Sequence, residues 1–133
     1  MNCRRVMLID DDEDDALIFQ MAINEVDKGI LFSHDNSETA FTLLQIKQLA
    51  IPDILFLDWN MPKIDGKQIL IELKKTKEYQ STPVVVYTTS TSLLFDVKEI
   101  KELGAAHFLT KPNSVSDLVK ELKQLLATDW HKK

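Results

Sequence analysis

The chain alternates between short apolar runs and longer amphipathic segments, and this alternation organises nearly its whole length. Aliphatic and β-branched residues dominate positions 6–9, 30–33, 54–57, 84–87 and 106–109. Each run is almost continuously apolar, which predicts strands covered on both faces, as in a parallel sheet. Between the runs, apolar residues recur at threes and fours. The sets are Ala16, Phe19, Ile23 and Val26; Ala40, Leu43 and Leu44; Ile69, Leu70 and Leu73; Leu93, Val97, Ile100 and Leu103; and Val115, Leu118, Leu122, Leu125 and Leu126. That spacing predicts five helices, each with one buried stripe.

The local punctuation agrees with these elements. Gly104 stands where the fourth helix should stop and predicts a left-handed cap. Ser114, with Asp117 three residues on, predicts a capping box opening the last helix. Pro52 and Pro83 precede strand runs, where a missing amide donor does little harm. About five strand–helix pairs make an α/β domain with a mostly parallel sheet, and right-handed crossovers place helices on both faces. The last helix is expected to end near Ala127. Residues 4–127 are thus expected to form one domain, followed by a short tail at 128–133, with no output domain.

Composition narrows the function classes. A chain of 133 residues, 44% hydrophobic and 28% charged, suits a single globular domain. The one cysteine, Cys3, excludes an internal disulfide and a thiolate-built metal site, and fits a reducing compartment. The basic start at Arg4 and Arg5 leads into only four apolar residues, too few for a secretory signal, and no stretch reaches the length of a membrane span. A cytoplasmic protein without a membrane partner is expected. Acids number 21 against 16 bases, a formal charge of −5, which argues against nucleic-acid binding. Six of those acids are residues 10–15, and outside them 15 acids face 16 bases. The acidic excess is one loop, at the end of the first strand.

In an open parallel sheet, sites form at the carboxyl ends of the strands. The first strand is followed by Asp10, Asp11 and Asp12, the third by Asp58, the fourth by Thr88 and Thr89, and the fifth by Lys111 and Pro112. Two carboxylates about 4 Å apart repel by roughly 4 kcal/mol at an effective dielectric of 20, so such a rim attracts a cation. Oxygen donors alone favour a hard ion such as Mg²⁺. A carboxylate beside Mg²⁺ and a lysine can attack phosphorus and form an acyl phosphate. A threonine hydroxyl and the lysine can then bond the transferring oxygens.

These stretches resemble the response-regulator receiver domain, the phosphoacceptor half of two-component signalling. The matching residues are Val6 to Asp11, Pro52 to Pro62, Asp65-Gly66, Pro83 to Thr89 and Lys111-Pro112. The resemblance implies a flavodoxin-like, doubly wound, five-stranded parallel sheet of order 2-1-3-4-5. It implies Asp58 as the phosphorylated residue, with Asp11 a direct ligand of Mg²⁺ or Mn²⁺ and Asp10 its partner. Asn60 would contribute its backbone carbonyl to the metal, Thr88 the switch hydroxyl, Lys111 the phosphoryl contact and Phe108 the switch aromatic. The same resemblance implies a cis bond before Pro112. Its implied partners are a sensor histidine kinase or a histidine phosphotransfer domain. Output would pass by protein–protein contact or phosphorelay, and the chain would catalyse only its own phosphorylation and dephosphorylation. The sequence leaves open homodimerisation through the last helices.

Three features depart from the commonest family pattern. Thr89 stands where many relatives carry Ala or Gly, Phe108 lacks a hydroxyl, and the acidic loop runs on through Asp12, Glu13, Asp14 and Asp15. Asp14 and Asp15 are expected mainly to favour the positive end of the first helix. His34, His107 and His131 have no ligand spacing and are read as structural or exposed. A calcium EF-hand starting at Asp10 fails, because it needs Gly at loop position six and Glu at twelve and finds Asp15 and Met21. A flavodoxin would share the fold, but an acidic first loop repels a flavin phosphate. Two alternatives stay open: a receiver-like scaffold that binds constitutively, and an aspartyl-phosphate phosphatase of haloacid dehalogenase type.

Overall fold

The computed structural model describes residues 3–89 and 97–130. The chain runs β1 (Arg5–Ile9), α1 (Glu13–Val26), β2 (Leu31–Asp35), α2 (Ser37–Gln45), β3 (Ile54–Leu57), α3 (Gly66–Lys75), β4 (Val84–Thr88), α4 (Val97–Glu102), β5 (His107–Thr110) and α5 (Val115–Ala127). The five strands form one parallel sheet of order β2-β1-β3-β4-β5. Fold class, strand order and all five strand–helix pairs match the expectation, with element ends differing by a residue or two. Leu93, counted in the fourth helical stripe, and His131 lie outside the described residues.

The continuous apolar runs have a direct cause. Successive side chains of a strand point to opposite faces. Val6 and Leu8 enter a core shared with Phe19 and Ile23 of α1 and with Leu118 and Leu122 of α5. Met7 and Ile9 enter the opposite core, with Leu44 of α2, Ile69, Leu70 and Leu73 of α3, and Ile100 of α4. Both faces of β1, β3 and β4 are therefore dry, and every residue of these strands except Arg5 is buried. The expectation of two covered faces fails for the edge strands β2 and β5, where Leu31 keeps 65% of its surface exposed and His107 and Thr110 are exposed too.

The helix ends follow from short side-chain bonds. Asp12 caps α1 by accepting from the amides of Asp14 and Asp15, and Asn36 caps α2 by accepting from Thr39. Ser114 caps α5 by accepting from the Asp117 amide, which is one half of the box its sequence predicts. The full reciprocal box stands at α3, where Asp65 and Gln68 each bond the other's backbone amide. Gly104 has φ +108°, the left-handed turn expected after α4. The Lys111–Pro112 bond is trans, since no described peptide is cis, and this corrects the implied cis bond. The trans isomer of an X–Pro bond is the intrinsically favoured one, by about 0.5–1 kcal/mol.

Candidate functional site

Strand register brings the chemistry together. Ile9 pairs with Leu57, so the residues that follow, Asp10 and Asp58, stand side by side at the carboxyl rim. The Asp58 amide bonds the Ile9 carbonyl at 2.9 Å, which fixes that alignment. Thr88 pairs with Thr110, and the Lys111 amide donates to the Thr88 carbonyl at 2.7 Å, placing the lysine on the same rim. An open cleft there is lined by Asp10, Asp11, Asp15, Asp58, Asn60 and Lys111, among others.

Asp10 is 0% exposed and held on both oxygens. Oδ1 accepts from the Asp12 amide at 2.9 Å, and Oδ2 accepts from Lys111 Nζ at 3.0 Å. Burial and the Asp58 charge push its carboxyl up to about 6, against the pull of the Asp12 amide and of Lys111. His34 donates Nε2–H to the Asp10 carbonyl at 2.7 Å, so this histidine steadies the loop backbone. His107 lies 6.1 Å from Trp130 between ring centres. His34 is thus structural and His107 is exposed, in line with the reading of these histidines as structural or exposed.

Lys111 is the hub of the site. Its ammonium lies 2.7 Å from Asp15, 3.0 Å from Asp10 and 3.6 Å from Asp58, and 5.3 Å above the centre of the Tyr87 ring. Burial by itself would lower its pKa. The bond to Asp15, the Asp58 charge and the bond to Asp10 outweigh burial and raise it, so the lysine is a fixed cation. The helix-end role expected of Asp15 is thus incomplete, because its carboxylate also pairs with the lysine. Sequence spacing carried no signal for a contact across 96 positions.

Asp58 is 7% exposed, and its Oδ1 accepts from the Asn60 amide at 3.3 Å. Gly66 opens α3 directly against this turn. A Cβ at Gly66 would lie 2.5 Å from the Asp58 carbonyl oxygen and 2.8 Å from Trp59 Cα, so only glycine permits the approach. Thr88 is fully buried, and its hydroxyl accepts from the Asn60 side-chain amide at 3.1 Å. Phe108 is half-buried against the core shared with α3 and α4.

The residues expected to hold a metal are only partly assembled. Asp11 Oδ1 accepts from the Ser37 amide, at 2.6 Å, and Oδ2 from the Ser37 hydroxyl, at 2.9 Å. Its carboxylate therefore braces the start of α2. Among the described residues, no three His, Cys, Asp or Glu side chains converge on a common centre. The donor chemistry nonetheless suits a hard cation, being carboxylate oxygen around an open cleft with one buried acid of raised pKa. Ser37 and Tyr87 are site neighbours to which the sequence reading gave no role: Ser37 opens α2, and Tyr87 lies within the fourth-strand motif but reads there as an apolar strand residue.

The sequence profile of the response regulator receiver domain matches residues 6–123, and the chain belongs to that family. It is therefore a two-component signalling module, which sets aside the haloacid dehalogenase alternative. The transcriptional regulatory protein TrcR of Mycobacterium tuberculosis is 30% identical over 127 residues, covering 96% of this chain, which spans about half (47%) of TrcR's length. The response regulator Rcp1 of Synechocystis is 30% identical over 120 residues, covering 86% of this chain and 81% of Rcp1. A structure of Mn²⁺-bound Rcp1 superposes with TM-score 0.72 at 26% identity, over 95% of this chain and 96% of that one. The phosphorylated cyanobacterial phytochrome response regulator RcpA superposes with TM-score 0.79 at 25% identity, covering 92% and 91% of the two chains. No described helix is long and apolar enough to cross a membrane.

Proposed function

We propose that this protein accepts a phosphoryl group on Asp58 from a phosphohistidine of a sensor kinase or phosphotransfer domain. The supporting observation is that Lys111, which follows β5, reaches both Asp10 and Asp58, which follow β1 and β3. In the transfer, an Asp58 carboxylate oxygen forms the new bond to phosphorus. The donor's P–N bond breaks, and the imidazole leaves with the bonding pair. The ammonium of Lys111 then pairs with the phosphoryl oxygens, and the Thr88 hydroxyl exchanges its Asn60 bond for one of them. Phe108 responds by turning further into the core, which changes the surface around β5 and α5.

Asp10, Asp11, Asp58 and the Asn60 carbonyl would hold a Mg²⁺ or Mn²⁺ ion. Such an ion, when bound, offsets the repulsion between the nucleophile and the phosphoryl oxygens. Asp11 must release Ser37 to take part. The output is a change of affinity for a protein partner or onward relay to another histidine domain.

Radiolabel from an acyl-phosphate donor in the presence of Mg²⁺ is expected on wild type and absent from Asp58→Asn. Equal labelling of both sinks the assignment. Partner affinity with and without beryllium fluoride addresses the output, and equal affinity would favour a constitutive scaffold.

A further inference from the structure

We propose that Asp15 is a positioning residue for Lys111, holding the ammonium beside Asp58 while keeping it from closing onto the nucleophile. The inference rests on the phosphoacceptor reading above. An ammonium has three donors. Two of them are taken at hydrogen-bond distance, by Asp15 at 2.7 Å and by Asp10 at 3.0 Å, whereas Asp58 Oδ2 stands off at 3.6 Å. That last separation is beyond a hydrogen bond, so the nucleophile's oxygen is not bound to the lysine.

Asp15 is well placed to hold this geometry. It sits in the first turn of α1, and its amide is fixed to the Asp12 carboxylate at 3.2 Å. Its carboxylate is 33% exposed, and the lysine it grips is only 11% exposed, so the pair is partly shielded from water. Its neighbours Glu13 and Asp14 carry the same charge but are exposed, and neither pairs with Lys111.

The consequence follows from charge balance. Without Asp15, the ammonium keeps only Asp10 and Asp58 as carboxylate partners and closes the gap to Asp58, so an ion pair ties up the attacking oxygen. With Asp15, that oxygen stays free. As the Asp58 O–P bond forms and the donor bond breaks, the negative phosphoryl oxygens draw the ammonium away from Asp15. No proton needs to move.

The test is the initial rate of Asp58 labelling from radiolabelled acetyl phosphate at saturating Mg²⁺. Asp15→Ala is expected to label about tenfold more slowly than wild type. Asp15→Glu, which keeps a carboxylate for the ammonium, is expected to recover most of the rate. Glu13→Ala removes an equal charge from the same helix turn and is expected to label like wild type. A wild-type rate in Asp15→Ala, or the same slowing in Glu13→Ala, overturns the inference. A wild type that fails to label removes the phosphoacceptor reading instead. The contact itself is read independently from the NMR chemical shift of the Lys111 ammonium at neutral pH, which should move in Asp15→Ala and stay in Glu13→Ala; an unmoved shift in Asp15→Ala overturns the positioning role whatever the labelling shows.

Discussion

The side-chain amide of Asn60 donates a 3.1 Å hydrogen bond to the hydroxyl of Thr88, tying the turn after β3 to the last residue of β4. Thr88 is fully buried, so its hydroxyl depends on this partner rather than on water. Thr88→Val keeps the volume and loses the bond, and should cost about 1 kcal/mol in urea unfolding. Adding Asn60→Ala to Thr88→Val should cost less than Asn60→Ala does in wild type, because the bond is already gone. Strict additivity of the two changes would show that the bond contributes nothing.

Ser37 holds both carboxylate oxygens of Asp11, so in the proposed metal site it would compete with the cation. Mg²⁺ at a hundredfold over its Kd should stabilise the protein by about 2.7 kcal/mol, and Asp11→Ala should lose much of that gain. Ser37→Ala leaves the backbone amide bond but frees Oδ2, so it should tighten Mg²⁺ binding about threefold. Fluorescence of Trp59, isolated by Trp130→Phe, would follow the titration. Unchanged affinity in Ser37→Ala would mean that the metal does not displace this bond.

The raised carboxyl of Asp10 makes a pH prediction. Its folded value is about 6 against an ordinary 3.8, so between those limits the folded state binds more protons than the unfolded one. Stability from this group is fully present below pH 3.8 and is lost as pH rises through about 6. Asp10→Asn should remove that part of the pH dependence in metal-free protein, measured by thermal melts from pH 4 to about 7. A pH profile identical to wild type would place the cost elsewhere.

Gly66 has no room for a methyl group. The added Cβ would press on the Asp58 carbonyl and the Trp59 backbone, neither of which is a flexible side-chain end. Gly66→Ala should destabilise by about 1–3 kcal/mol and slow labelling of Asp58, because the turn that carries the acceptor must move. Gly29→Ala is a useful control, since a Cβ there meets only the Asp27 side chain, at 3.2 Å. Equal effects of the two substitutions would contradict the close-packing account.

The sequence by itself determined the α/β class, the five strand–helix pairs and the rim on which Asp10, Asp58, Thr88 and Lys111 meet. Those features are legible because periodicity, caps and strand ends are local properties of the chain. A residue that follows a parallel strand must lie at the carboxyl edge, whatever the other strands do. Tertiary structure alone decided how the carboxylates are used. Asp11 turns to Ser37, 26 positions away, and Asp15 reaches Lys111, 96 positions away. The same structure left β2 with one side open and Lys111 over Tyr87. Six consecutive acids look alike in sequence, since their type and spacing are nearly uniform. What separates them is which partners the strand order delivers to each, and how far each is removed from water.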